Sequence, residues 1–169
     1  MSKPRIMLGG VEVVALAGAA LETLEPAGGS VLTRMSDGAL VKQQHWNKLQ
    51  GSISGDGWLP PGLDGLDYSQ PLELRSTKIQ SINGAGLVYE LPGLPRPDYP
   101  ATGLAQVGRI WVSTDCEVVD GVATLAALPG AVAYRVCWLP VFMVFCERPS
   151  ETQNDLANTH AWSISWLEA

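Results

Sequence analysis

The sequence predicts a mostly β chain, folded as an antiparallel β-sandwich or barrel-like domain with short helical turns. Three observations point there. Dipeptides suited to two-residue hairpin turns occur four times, at Gly9-Gly10, Asp37-Gly38, Asn83-Gly84 and Asp120-Gly121. Gly and Pro number 18 and 12, breaking the chain into short runs. No long amphipathic helical pattern interrupts them. The 169 residues read as one β-rich domain, with a Pro-rich extended segment (91–103) and a polar loop (147–160).

Taken in order, the turns differ in quality. Around Gly9-Gly10, Leu8 faces Val11 and Ile6 faces Val13, leaving Met7 opposite Glu12. Around Asp120-Gly121, Val118 meets Ala123 and Cys116 meets Leu125, with Glu117 opposite Thr124. Both give one clean apolar face. About Asp37-Gly38 the pairing is mixed, Met35 with Leu40 but Thr33 with Lys42. About Asn83-Gly84, Ile79 meets Val88 but Gln80 meets Leu87. Mixed faces imply either a longer loop or a ribbon partly covered on both sides. "ALAGAALETLE" (15–25) predicts a short helix ended by Pro26, and "PPGLDGLDY" (60–68) one helical turn after Pro61.

Pro92, Pro95, Pro97 and Pro100 fix φ and remove donors, which predicts a polyproline-like connection. It would serve as a stiff surface loop, an arm across a neighbour or a PxxP ligand. "AYRVCWLPVFMVFC" (133–146) and "AWSISWLEA" (161–169) are expected to pair. Trp162, Ile164 and Trp166 share a face in the second. The first is apolar on both faces, and Pro140 marks an edge or a bulge in it.

Charge narrows the function classes. A net charge of −6 with no Lys/Arg cluster excludes nucleic acid as the expected partner. "WLPVFMVFC" (138–146) is too short to span a bilayer, so no membrane insertion is expected. The start, "MSKPRIMLGGVEV", shows no signal-peptide pattern. Three cysteines cannot all pair, which fits synthesis in a reducing cytoplasm. Only 17% of residues are charged, against about a quarter in an ordinary domain. That shortfall implies a surface covered by other subunits, or a Ser/Thr/Gly coat.

Chemistry-bearing patterns are scarce. No nucleophile elbow occurs, and the one Cys–His pairing the strands suggest is Cys146 with His160. Cys116, Cys137 and Cys146 lack zinc-site spacing. Asp56, Asp64 and Asp67 lie in a Gly-rich loop without EF-hand spacing, where Asx turns are the ordinary outcome. No catalytic, cofactor or metal site is expected. Six tryptophans offer a different possibility, since an exposed ring can stack on a sugar. Trp46 and Trp58 lie beside polar residues rather than in apolar runs, although core filling is the ordinary role of Trp.

"MSDGALVKQQHWNKLQGSISGDGWLPPGLDGLDYSQPLELRSTK" (35–78) resembles small β-rich tail proteins of long-tailed bacteriophages and prophages, the set that forms the tail tip or baseplate. The likeness lies in a D-G hairpin, a Trp, an S-I-S-G-x-G-W-x-P-P-G loop and an L-D-Y-S-x-P-L-E-L strand, about a quarter of the chain. It implies a virion structural protein without catalytic residues. Such a protein is made in the host bacterial cytoplasm and forms homo-oligomeric rings of three or six that dock with other tail proteins. Trp46, Trp58, Pro60, Pro61, Pro92, Pro95, Pro97 and Pro100 are then the candidate interface. The alternative is a carbohydrate-binding β-sandwich recognising a cell-surface glycan; a third reading is a hydrolase using Cys146 with His160.

Overall fold

The computed structural model describes residues 4–169. Its strands are β1 (Met7–Leu8), β2 (Val11–Glu12), β3 (Leu21–Ala27), β4 (Ser30–Arg34), β5 (Leu40–Gln44), β6 (Lys48–Gly57), β7 (Leu72–Arg75), β8 (Gln80–Gly84) and β9 (Val88–Glu90). They continue as β10 (Thr102–Val107), β11 (Ile110–Thr114), β12 (Cys116–Val119), β13 (Val122–Leu125), β14 (Ala131–Trp138), β15 (Val141–Cys146), β16 (Ser150–Asn154) and β17 (Thr159–Glu168). The mostly β class therefore holds, with Ala15–Ala17 forming a lone 3-10 turn among the described residues. The chain divides into two compact units, each built from two separate stretches of sequence.

The first unit takes the N-terminal segment through Glu12 together with Glu73–Phe142. A sheet ordered β11-β10-β14-β8 and a second ordered β12-β13-β9 share an apolar core. Ala105 and Tyr134 of the first sheet meet Leu125 of the second, and Val136 and Trp138 meet Ala123. That is the layering of a sandwich. Both clean hairpins form in the expected register, Leu8↔Val11 and Cys116↔Leu125. Their turns take positive φ at both central residues, 56° and 82° at Gly9-Gly10, 49° and 79° at Asp120-Gly121.

Asn83-Gly84 does not turn. Both residues lie inside β8, opposite Arg135 and Tyr134 of β14, and the Asn83 side chain accepts a 2.6 Å hydrogen bond from Arg135 Nε. Glycine at 84 admits the Tyr89 ring, which would lie 3.1 Å from a Cβ there. Pro140 interrupts the long apolar run rather than sitting in a strand, which suits a residue without a ladder donor. Its carbonyl accepts from the Ser76 N–H at 3.1 Å, and it bridges to Pro95.

The second unit takes Val13–Leu72 with Met143–Ala169. At its centre β17 pairs with β6 along one edge, and β3 flanks β6. The other edge of β17 takes β15 in the expected pairing, through Val144↔Glu168 and Cys146↔Trp166, and then β16. Residues 147–160, expected as a polar loop, instead supply β16 and the turn of a hairpin. Their side chains are exposed apart from half-buried Pro149, Thr159 and His160, so no apolar alternation announces the strand.

The expected helix at 15–25 is also replaced. Gly18 takes a φ of 97° after the 3-10 turn, and Leu21–Ala27 pair with β6. A helix this short gains little by itself, whereas the strand completes a sheet edge. Pro26 is tolerated because β3 is the outer strand. No helix forms over 60–68, which makes turns only.

Two pentapeptides organise this sheet. "GSISG" (51–55) and "WSISW" (162–166) run antiparallel, placing Gly51 opposite Trp166, Ile53 opposite Ile164 and Gly55 opposite Trp162. Trp162, Ile164 and Trp166 are all buried, as their shared face predicts. Each indole fills the space its glycine partner leaves empty.

Candidate interaction surface

Beyond β3 and β6 the same ribbon continues as β4 and β5, with no third strand beside it among the described residues. Every residue from Ser30 to Lys48 is exposed. The arm runs about 25 Å from Ser30 to its tip, at roughly 3.3 Å per residue. Its register, Leu32↔Lys42 and Arg34↔Leu40, differs by one residue from the tight Asp37-Gly38 turn expected. The turn is a longer loop, closed by the Met35 N–H on Ala39 O at 2.8 Å and by Asp37 Oδ1 accepting from the Ala39 N–H at 3.0 Å.

Cross-strand partners point to the same face. One face of the arm therefore carries Leu32, Leu40, Arg34 and Lys42, and the other Val31 and Val41. Val31, Leu32 and Leu40 are 56–62% exposed, so apolar side chains meet solvent on both faces. A two-stranded ribbon of this kind is marginal alone in water.

Trp46 explains how the arm is aimed. Gly28 and Gly29 on one strand face three residues, 45–47, on the other, a bulge that tightens the local twist. The Trp46 ring lies against this bulge. A Cβ on Gly29 would fall 2.5 Å from the Trp46 carbonyl oxygen and 2.6 Å from ring atom Cδ2, and Gly29 takes a φ of 89°. Gly29→Val is expected to cost about 1–3 kcal/mol and to release the ring. The check is a red-shifted, more quenchable Trp fluorescence in that variant with unchanged far-UV circular dichroism from the remaining sheet.

The other candidate residues belong to two separate stretches of sequence, one in each unit. Trp58 is 61% exposed, in a loop tied back by its N–H to Leu16 O at 2.7 Å. Pro60 is exposed and Pro61 buried. Pro92, Pro97 and Pro100 are exposed and Pro95 half-buried, but their segment is no free arm. Arg96 anchors it: the backbone N–H reaches Leu139 O at 2.8 Å and the guanidinium is buried.

A groove of about 680 Å³ opens on the second unit. One row crosses four strands of its wall, from Glu25 through Gln50 and Leu167 to Phe145. Tyr68 and Glu147 also line it. Phe145 and Leu167 are 48% and 55% exposed, so this face of the apolar strand lacks cover. Sequence reasoning misses the row; the alternation "FMVFC" (142–146) is its visible trace.

Cys146 and His160 do not meet. Cys146 lies opposite Trp166, six residues along β17 from His160, which separates the two by roughly 20 Å. Burial, then the nearby Glu147 charge, pushes the Cys146 thiol up, and burial does the same at Cys116 and Cys137. Thiols so held stay protonated near neutrality. Among the described residues no group of three or more His, Cys, Asp or Glu is placed to hold a metal ion. Asp67 makes the expected Asx contacts, accepting from the Ser69 N–H at 3.0 Å and Oγ at 2.6 Å; these bonds hold its carboxyl below the ordinary range. No helix among the described residues is long and apolar enough to cross a membrane. No protein-family model matches the chain, and no curated protein or solved structure is significantly similar to it.

Proposed function

We propose that this chain is a structural protein of a phage tail tip or baseplate, acting by oligomerisation and by docking between tail tube, hub and fibres. The observation that carries the reading is the β4–β5 arm, exposed along its whole length and bearing apolar side chains on both faces. An uncovered ribbon of this composition is a liability for a free monomer and an asset for an assembly subunit. The resemblance over 35–78 supplies the tail, and the location in the virion follows from it. Light scattering on the purified chain is expected to give a mass of three or six copies, and replacing 29–46 by a tight turn is expected to give one. A wild-type chain that stays at one copy at every concentration would reject the reading.

Exposed indoles favour a second reading, a glycan-binding module; Trp111 is exposed too, but Arg135 stacks over its ring at 4.8 Å. Trp46 and Trp58 are 49% and 61% exposed. Glycan recognition requires a saturable fluorescence change on titration with a sugar panel, lost in Trp58→Ala.

A further inference from the structure

The arm and the groove match each other in chemistry. The arm face that bears Leu32 and Leu40 also bears Arg34 and Lys42. The groove offers Phe145 and Leu167 with Glu25 and Glu147 at its rim. The ion pairs of the described residues join Arg5 to Glu12, Arg75 to Glu73 and Asp98, Arg96 to Asp98, and Arg148 to Asp64. None engages Arg34, Lys42, Glu25 or Glu147, although Arg34 does reach the Gly38 carbonyl at 3.2 Å. The arm therefore presents cations beside leucines, and the groove presents carboxylates beside an aromatic and a leucine. In its own chain the arm strands, Ser30 to Gln44, are exposed throughout.

We propose that the β4–β5 arm of one copy seats its Leu32/Arg34/Leu40/Lys42 face in the Glu25–Phe145 groove of a second copy. The inference rests on the self-assembly reading above and names the contact that makes it. Where each copy gives its arm to one neighbour and receives an arm from another, the contact is heterologous, and repeating it with a closing rotation yields a ring. The leucines leave water against Phe145 and Leu167, while the cations meet Glu25 and Glu147 at the rim, where charge sets register and partner choice.

Charge exchange tests it. One chain carries Arg34→Glu and Lys42→Glu, so that arm and groove are both acidic. A second carries Glu25→Lys and Glu147→Lys, so that both are basic. All four positions are exposed, and circular dichroism should match wild type. Each altered chain alone is expected to lose self-affinity about 100-fold or more, because like charges now face each other. Mixed in equal amounts they regain assembly, each acidic arm finding a basic groove and each basic arm an acidic one. Altered chains that assemble alone as well as wild type would overturn the arm-in-groove contact and leave self-assembly standing. A mixture that stays dissociated would overturn it too. A monomeric wild type would overturn both the contact and the reading beneath it.

Discussion

Arg96→Ala is expected to remove about 1–3 kcal/mol of stability, because it strands backbone acceptors assembled around one buried cation, while Asp98, 39% exposed, returns to water. Arg96 is 3% exposed. Its Nε and Nη2 bind the two oxygens of Asp98 at 2.9 and 2.7 Å, a fork-to-fork pair. Its Nη1 donates to the carbonyls of Arg5, Ser76 and Arg75 at 2.7, 3.2 and 3.3 Å. Alanine leaves these acceptors without their donor, and the cost of an unmade buried bond exceeds the net gain of a made one. Arg96→Lys keeps the charge but not the planar fork, so it should recover only a minor part of the loss. Urea midpoints for the three proteins provide the check. Equal midpoints would mean that the Pro-rich segment is held by its backbone alone.

The same site gives a pH signature. Hydrogen bonds from Arg96 hold the Asp98 carboxyl below its ordinary value of 3.8. The folded pKa thus lies below the unfolded one, and the pair's contribution is complete above the unfolded value. It fades as pH falls through the lowered folded pKa. The stability gap between wild type and Arg96→Ala should therefore be constant near neutrality and close progressively below about pH 4. A gap that widens in acid would contradict the pairing.

How much of this is legible in the sequence depends on where each signal lives. Gly9-Gly10 and Asp120-Gly121 are readable because their flanking residues alternate cleanly and positive φ is a local demand. Asn83-Gly84 carries equally good turn letters, yet both residues are drawn into β8 by pairing with β14, where Arg135 lies 52 residues beyond Asn83. Leu21–Ala27 has helix-forming letters that lose to an edge pairing with β6, a contact local propensity does not contain. The arm is half legible. Unbalanced faces at Thr33 and Lys42 are visible, but their cause is a one-residue offset at Gly28-Gly29 that only the register reveals. Arg96 is hidden because a single arginine among prolines looks solvent-facing until Arg5, Ser76 and Asp98 gather around it.

Trp162→Ala carries the other large expected effect, a loss of about 3–5 kcal/mol for an aromatic removed from a packed core. Trp162 is 3% exposed, and its Nε1 donates to Ala17 O at 2.8 Å, so the indole also pins the 3-10 turn. Trp162→Phe keeps most of the bulk but drops that donor, and should cost about 1–3 kcal/mol. Gly55→Ala attacks the same contact from the other strand, because a Cβ there would lie 2.8 Å from Trp162 Nε1 and 2.9 Å from two ring carbons. Alone it should cost about 1–3 kcal/mol through overpacking. In the Trp162→Ala background the three atoms that crowd the added methyl are gone. The double variant should then be no less stable than Trp162→Ala, a coupling on the order of 1–3 kcal/mol between strands far apart in sequence. Strictly additive costs would refute the ring-over-glycine account. Because β6 carries the base of the arm and β17 the floor of the groove, Trp162→Ala should also weaken assembly, and Gly55→Ala less so.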